Sequence, residues 1–309
     1  MRKTSKIYVA GHTGMVGSAL VRELNRLGYM NIILPDVRLD LRDQAKVDYF
    51  MKMERPEYVF ICAAKVGGIK ANNQFRADFI TDNLMIQTNL ISSAHKCNVT
   101  KLMFLGSSCI YPRNCPQPIQ ENYLLSGYLD QTNEPYAVAK IAGLKMVESY
   151  RKQYGCDFIS LMPCNLYGPC DNFNMNNGHV IPSLMMKMMN FDTVNVWGSG
   201  KAMREFMHVD DLAKAMIYFM RGYSDDSILN IGTGREYSIS ELVEIIAEVV
   251  GFSGKISYDR SFYEGPTRKV LDVSRANALG WNAQIDIYKG LEDTFRWLSL
   301  NHGIGKVRV

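Results

Sequence analysis

Ser107, Tyr136 and Lys140 are of types, and at spacings, that can do chemistry together. Tyr136-Ala137-Val138-Ala139-Lys140 sets a phenol and an ammonium four residues apart, on one face if the segment is helical. A phenol ordinarily titrates near pH ~10. A neighbouring ammonium would lower that value and let Tyr136 exchange a proton with an alcohol or carbonyl oxygen near neutral pH. A serine hydroxyl at the same oxygen would polarise a carbonyl. Alone, such a pair reads by default as a structural tyrosine beside a surface lysine. Its weight comes from agreement with signals elsewhere in the chain.

A strand and a helix must position these groups. Residues 101–106 read as an apolar strand that delivers Ser107, Ser108 and Cys109 at its end, and residues 136–154 read as a helix. Near the start, the run 7–10 ends at Gly11-His12-Thr13-Gly14-Met15-Val16-Gly17, and helical periodicity follows through Val16, Leu20, Val21, Leu24 and Leu27. Strand, glycine turn and helix predict a pyrophosphate on the helix N-terminus, where free N–H groups favour anions and side chains would obstruct. The expected cofactor contacts there are Gly11, Thr13, Gly14, Met15, Val16 and Gly17.

A second run, 31–34, ends at Pro35-Asp36. Asp36 could accept hydrogen bonds from an adenine ribose, as NAD prefers. Arg38 and Arg42 are close enough to grip a 2′-phosphate instead, and an aspartate that merely ends a strand fits equally. The third strand, 58–64, ends in Ala63 and Ala64, small enough to let a cofactor lie against the backbone. A helical pattern over 78–97 leads to the strand at 101. This alternation predicts an α/β fold, a doubly wound parallel Rossmann sheet with helices on both faces.

Beyond a strand at 158–162, Pro163 to Pro169 breaks the pattern, and an Asn-, Met- and Gly-rich stretch runs to Glu205. A helix is expected over 181–189, a short strand over 194–197, a helix from His208 to about Met220, and a last strand of the main sheet at 228–232. The expected division is 1–167 and 207–233 for a dinucleotide-binding domain, with 168–206 and 234–309 forming a smaller, mostly helical substrate-binding lobe.

The chain's 309 residues suit such a pair of units, and 35 basic against 31 acidic side chains leave a net charge of +4. That is too mild and dispersed for nucleic acid. No stretch reaches membrane-spanning length. Seven cysteines, an odd number without a secretory signal, predict reduced thiols and a cytoplasmic location. Cys109/Cys115 and Cys164/Cys170 repeat a C-x5-C spacing, wider than structural zinc pairs commonly use, so no metal is expected.

The glycine turn, Ser107 and Tyr136-x-x-x-Lys140 resemble the extended short-chain dehydrogenase/reductase family. Several further stretches resemble the GDP-L-fucose synthases within it. They are Gly106-Ser107-Ser108-Cys109-Ile110-Tyr111-Pro112, Asn133-Glu134-Pro135-Tyr136-Ala137, Asn165-Leu166-Tyr167-Gly168-Pro169, Asn177-Gly178-His179-Val180-Ile181-Pro182, Trp197-Gly198-Ser199-Gly200 and Met203-Arg204-Glu205-Phe206. The resemblance implies C3/C5 epimerisation of a GDP-4-keto-6-deoxymannose followed by reduction at C4. Cys109 is then the base and His179 the acid. Without the resemblance, a lone cysteine and a lone histidine would both read as structural.

It also implies cofactor contacts from Asp40, Leu41, Tyr136, Lys140, Pro163, Asn165, Leu166 and His179, and substrate contacts from Ser108, Asn165, Val180, Lys187, Trp197, Arg204 and Lys269. Lys187 stands where the family has arginine, which keeps the charge on the diphosphate but not a bidentate grip. Thr13 replaces an arginine that helps hold the 2′-phosphate of NADP. NADPH is the expected cofactor, with NADH possible, and the expected assembly is a homodimer through the helices near 78–97 and 136–154. Two alternatives stand: a C4 reductase of another GDP-4-ketosugar such as a heptose, and a non-catalytic dinucleotide sensor.

Overall fold

Apolar runs bounded by glycines fold as strands of one sheet in the computed structural model, which describes residues 1–35, 39–261, 265–303, 305 and 307. Its strands are β1 (Lys6–Ala10), β2 (Asn31–Ile33), β3 (Tyr58–Ile61), β4 (Lys101–Leu105), β5 (Phe158–Pro163) and β9 (Leu229–Ile231), all parallel, in the order β2-β1-β3-β4-β5-β9. Every residue of β4 and β5 is buried, as a parallel sheet covered on both faces requires. Helices α1 (Met15–Arg26) and α7 (Val209–Gly222) pack together as one cover; α2 (Gln44–Glu54), α4 (Arg76–Lys96) and α5 (Glu134–Tyr154) form the other. The short α3 (Ile69–Gln74) precedes α4. The strand order reverses between β1 and β3, which opens a crevice at the carboxyl ends of these strands.

A second apolar core gathers around Phe173, Met185, Val196, Leu242, Ile246 and Leu291. Here β8 (Met203–His208) pairs with β6 (Asn165–Tyr167), β10 (Glu236–Ser238) and β12 (Arg268–Lys269), while β7 (Thr193–Trp197) pairs with β11 (Lys255–Asp259). Helices α6 (Val180–Asn190), α8 (Ile239–Val250) and α10 (Ile287–His302) cover them. Helix α8 starts at a capping box, in which the Ser238 hydroxyl takes the Glu241 N–H and the Glu241 carboxylate takes the Ser238 N–H. This lobe holds more strand than its sequence suggests. The segment around α9 (Ser274–Ala278) returns to the first core through Leu271, Val273, Ala276 and Trp281.

Glu205 stitches these parts together. It is fully buried, and its carboxylate accepts backbone N–H bonds from Thr233 (2.6 Å), Gly234 (2.8 Å) and Leu271 (2.8 Å). Two segments distant in sequence, 233–234 and 271, are thereby held at one point of β8. Burial still raises the Glu205 pKa, against the pull of those three donors.

Candidate active site

The glycine turn sits at the mouth of the crevice. Gly11 has φ +83°, and a Cβ there would lie 2.7 Å from the Ala63 backbone, so the turn closes directly on the end of β3. At Gly17 a Cβ would fall 2.1 Å from the Gly11 carbonyl, which seats α1 tightly under the turn. Gly14 is the N-cap of α1 and carries no side-chain cap, so the first N–H groups, those of Met15 and Val16 among them, stay open to an anion. Thr13 is exposed beside them. An uncapped helix start against small Ala63 and Ala64 fits the pyrophosphate of a dinucleotide.

Asp36 and Arg38 lie outside the described residues. Next to them, Asp40 binds Arg42 through Nε and Nη2 at 2.9 Å, and Arg42 reaches Asp82 at 3.3 Å. Lys65, just beyond Ala64, pairs with the same Asp82 at 2.9 Å. Arg42 is therefore engaged by two carboxylates. The Leu41 carbonyl accepts from Asn89 Nδ2 on α4 at 2.9 Å, which fixes this edge of the crevice.

Pro135 in the first turn of α5 starts that helix so that Tyr136 and Lys140 share one face. Ser107 caps the short helical turn Ser108–Ile110 that follows β4, and its Oγ accepts from the Cys109 N–H at 3.3 Å. Ser107 also interacts with the Tyr136 hydroxyl. Ser108 is buried behind it. The Lys140 ammonium lies 5.9 Å from the Tyr136 ring centroid and donates to the Leu105 carbonyl at 2.8 Å.

The expected lowering of the Tyr136 pKa is corrected by this geometry. Burial raises it above the ordinary phenol range, Cys109 adds to the rise, and the Ser107 contact opposes it. Burial also lowers Lys140, to about 8, with Cys62 working the other way. The tyrosine therefore holds its proton, ready to give it to an oxygen that gains negative charge.

Cys109 faces the second lobe, where Lys269 Nζ donates to its sulfur at 3.5 Å. Lys269 on β12 pairs in register with Arg204 on β8, so these two cations sit side by side. The Arg204 guanidinium donates to the Met203 carbonyl at 2.8 Å. Lys187 on α6 lies 5.4 Å from the Trp197 ring centroid, and burial lowers its pKa. Asn165 donates from Nδ2 to the Glu205 carbonyl at 2.7 Å, with Leu166 next to it on β6 and Pro163 closing β5.

His179 immediately precedes Val180, the first residue of α6. Its Nδ1 lies 3.8 Å from Asp171 Oδ1. Burial acts to lower its pKa, but the Asp171 carboxylate outweighs burial, so the net shift is upward. Among the described residues no hydrogen bond, ion pair or ring contact joins His179 to the Cys109 group. The Gly68 N–H does donate to the Asn177 carbonyl at 3.0 Å, tying the His179 loop to the loop that follows β3.

Residues 7–232 match the model of the NAD dependent epimerase/dehydratase family. The chain belongs to this family. Membership makes it an enzyme with a nicotinamide dinucleotide cofactor, which agrees with the glycine turn and the crevice. It is 52% identical over 302 residues to a probable GDP-L-fucose synthase of Oryza sativa, covering 96% of this chain and 92% of that one. A GDP-L-fucose synthetase from Naegleria fowleri bound to NADP superimposes with a TM-score of 0.93 at 27% identity, over 100% of this chain and 96% of the other. A GDP-6-OMe-4-keto-L-xylo-heptose reductase from C. jejuni does so with a TM-score of 0.92 at 37% identity, over 97% and 99%.

Two buried carboxylates beside the candidate residues have no signal in the sequence. Asp171 is an acidic residue in an Asn-rich loop, eight positions before His179, with no spacing that marks it. Glu205 stands inside a motif already singled out, yet its burial follows from strand pairing across the lobe. Among the described residues there is no group of three or more His, Cys, Asp or Glu placed to hold a metal, and no helix is long and apolar enough to cross a membrane.

Proposed function

We propose that this enzyme converts GDP-4-keto-6-deoxymannose to GDP-L-fucose, epimerising C3 and C5 and then reducing C4. What supports this is Ser107 at the end of β4, whose hydroxyl meets both the Cys109 N–H and the Tyr136 phenol, with Lys269 Nζ 3.5 Å from the Cys109 sulfur. The names of the relatives point to the same GDP-sugar.

Protons on C3 and C5 are acidic because they flank the C4 ketone. Cys109 removes one as thiolate, with Lys269 beside the sulfur, and His179 returns a proton on the opposite face. A bound nicotinamide dinucleotide would supply hydride to C4. Tyr136 gives its proton to the resulting alkoxide, Ser107 hydrogen-bonds that oxygen, and Lys140 stabilises the phenolate left behind. Gly11, Gly14, Met15, Val16, Gly17, Ala63, Ala64, Asp40 and Leu41 would hold the dinucleotide, which we take as NADPH. Residues 1–167 and 207–233 form the cofactor side of this reading, and 168–206 and 234–309 the substrate side. Lys187 and Arg204 take the GDP diphosphate, with Trp197 and Lys269 in the same pocket, and two chains pair through α4 and α5.

The structural likeness to a heptose reductase supports a second reading, C4 reduction of a GDP-4-keto-heptose. One assay decides between them: purified protein with each ketosugar and either NADPH or NADH, followed by cofactor oxidation and product analysis. GDP-L-fucose formed from the 6-deoxy sugar with NADPH is the expected result. Turnover of the heptose alone would replace it with the second reading, and no oxidation with either sugar would leave the non-catalytic sensor.

A further inference from the structure

The loop that carries His179 is already well tied by its own backbone. Asn172 Oδ1 accepts from the Asn174 N–H, Asn174 Oδ1 accepts from the N–H groups of Asn176 and Asn177, and the Gly178 N–H returns to the Asn174 carbonyl. The Ser183 hydroxyl closes the loop onto the Met175 carbonyl at 2.8 Å. None of these bonds uses Asp171.

Asp171 is nevertheless 4% exposed, and a buried carboxylate is costly unless something uses its charge. Its Oδ1 accepts the Asn172 N–H at 2.7 Å, but its Oδ2 is buried without a hydrogen-bond partner. The one other unsatisfied polar atom on this loop and its helix start is His179 Nδ1, 3.8 Å from the carboxylate. The His179 side chain as a whole is 43% exposed, so Nδ1 is turned inward while the rest of the ring is open.

We infer that Asp171 is the positioning residue of the acid: it holds the His179 ring by Nδ1 and leaves Nε2 to deliver the proton. The inference rests on the reading of His179 as the acid of epimerisation. A histidine that donates a proton must be charged before it acts. The environment otherwise opposes this, since burial disfavours the imidazolium and the ring sits at the positive N-terminal end of α6. Among the described residues, Asp171 is the ionisable side chain that acts on the ring, and its effect prevails. At 3.8 Å the contact is that of an ion pair, made when the ring carries its proton.

Asp171→Asn tests this, because the amide oxygen retains the bond from the Asn172 N–H and only the charge is lost. Deuterium incorporation at C3 and C5 of GDP-4-keto-6-deoxymannose in heavy water, without reductant, is measured against pH for the parent, Asp171→Asn and His179→Gln. The expected result is an alkaline limb about one pH unit lower in Asp171→Asn, roughly a tenfold loss at a pH above the limb, with Asp171→Glu restoring part of it. An unmoved limb beside a crippled His179→Gln overturns the positioning role alone. Undiminished exchange in His179→Gln overturns the acid assignment and this inference with it. Should Asp171→Asn not fold, NMR titration of His179 in the parent protein still decides. A midpoint above the ordinary histidine value of about 6.5 supports the role, and one at or below it removes it.

Discussion

Lys269 Nζ donates a hydrogen bond to Cys109 Sγ across the two lobes, over 3.5 Å and 160 residues of sequence. The ammonium is thereby seated on the sulfur of the proposed base. Lys269→Met is expected to slow C3/C5 proton exchange by about 10- to 100-fold. C4 reduction, measured on a ketosugar that needs no epimerisation, should fall much less. Lys269→Arg should recover part of the exchange, since the charge stays. Equal losses in both reactions would instead assign Lys269 to substrate binding alone.

Lys140 makes stability depend on pH. Its folded pKa is about 8 against an ordinary 10.5, so between these values the unfolded chain binds more protons than the folded one. Stability contributed by this residue therefore rises from about pH 8 to 10.5 and is flat below. Chemical denaturation of the apoprotein should show an increment on the order of 1–3 kcal/mol across that window. Lys140→Met should abolish it while keeping the fold. An unchanged pH dependence in Lys140→Met would contradict the burial of a titrating amine.

Two glycines of one turn should behave differently. A Cβ on Gly14 meets only the Gly11 carbonyl at 3.4 Å, an ordinary contact, whereas a Cβ on Gly17 would lie 2.1 Å from it. Gly14→Ala should leave the thermal midpoint of the apoprotein within a degree or two and weaken dinucleotide binding by about tenfold, because the methyl stands over the open helix start. Gly17→Ala should lower the midpoint of the apoprotein itself. Calorimetry with and without dinucleotide separates the two effects.

Removing Glu205 would orphan three N–H groups at once, that of Leu271 buried and those of Thr233 and Gly234 partly so. Glu205→Ala should destabilise by roughly 3–5 kcal/mol. Glu205→Gln keeps one acceptor oxygen and should cost less than half as much, and urea unfolding curves read both.

The legible parts of this fold were those where local pattern and tertiary environment agree. The fully buried runs of β4 and β5, the glycine turn before α1, and the helical pairing of Tyr136 with Lys140 belong to that class. Strand β11 was not legible, because Lys255–Asp259 has no buried position and exists through pairing with β7 some sixty residues earlier. Spacing put Lys140 beside Tyr136 but could not say that its ammonium turns to the Leu105 carbonyl, or that burial outweighs charge at the phenol. Asp171 carries no sequence signal, since its approach to His179 arises from the fold of one loop.

In the proposed function one site performs two separable chemistries, and a single pair of variants separates them. GDP-4-keto-6-deoxymannose is incubated in heavy water with Tyr136→Phe and with Cys109→Ser, and deuterium at C3 and C5 is followed alongside NADPH oxidation. Tyr136→Phe should incorporate deuterium and oxidise almost no NADPH. Cys109→Ser should incorporate almost none. Deuterium incorporation by Cys109→Ser at the parent rate would mean that the thiol is not the base.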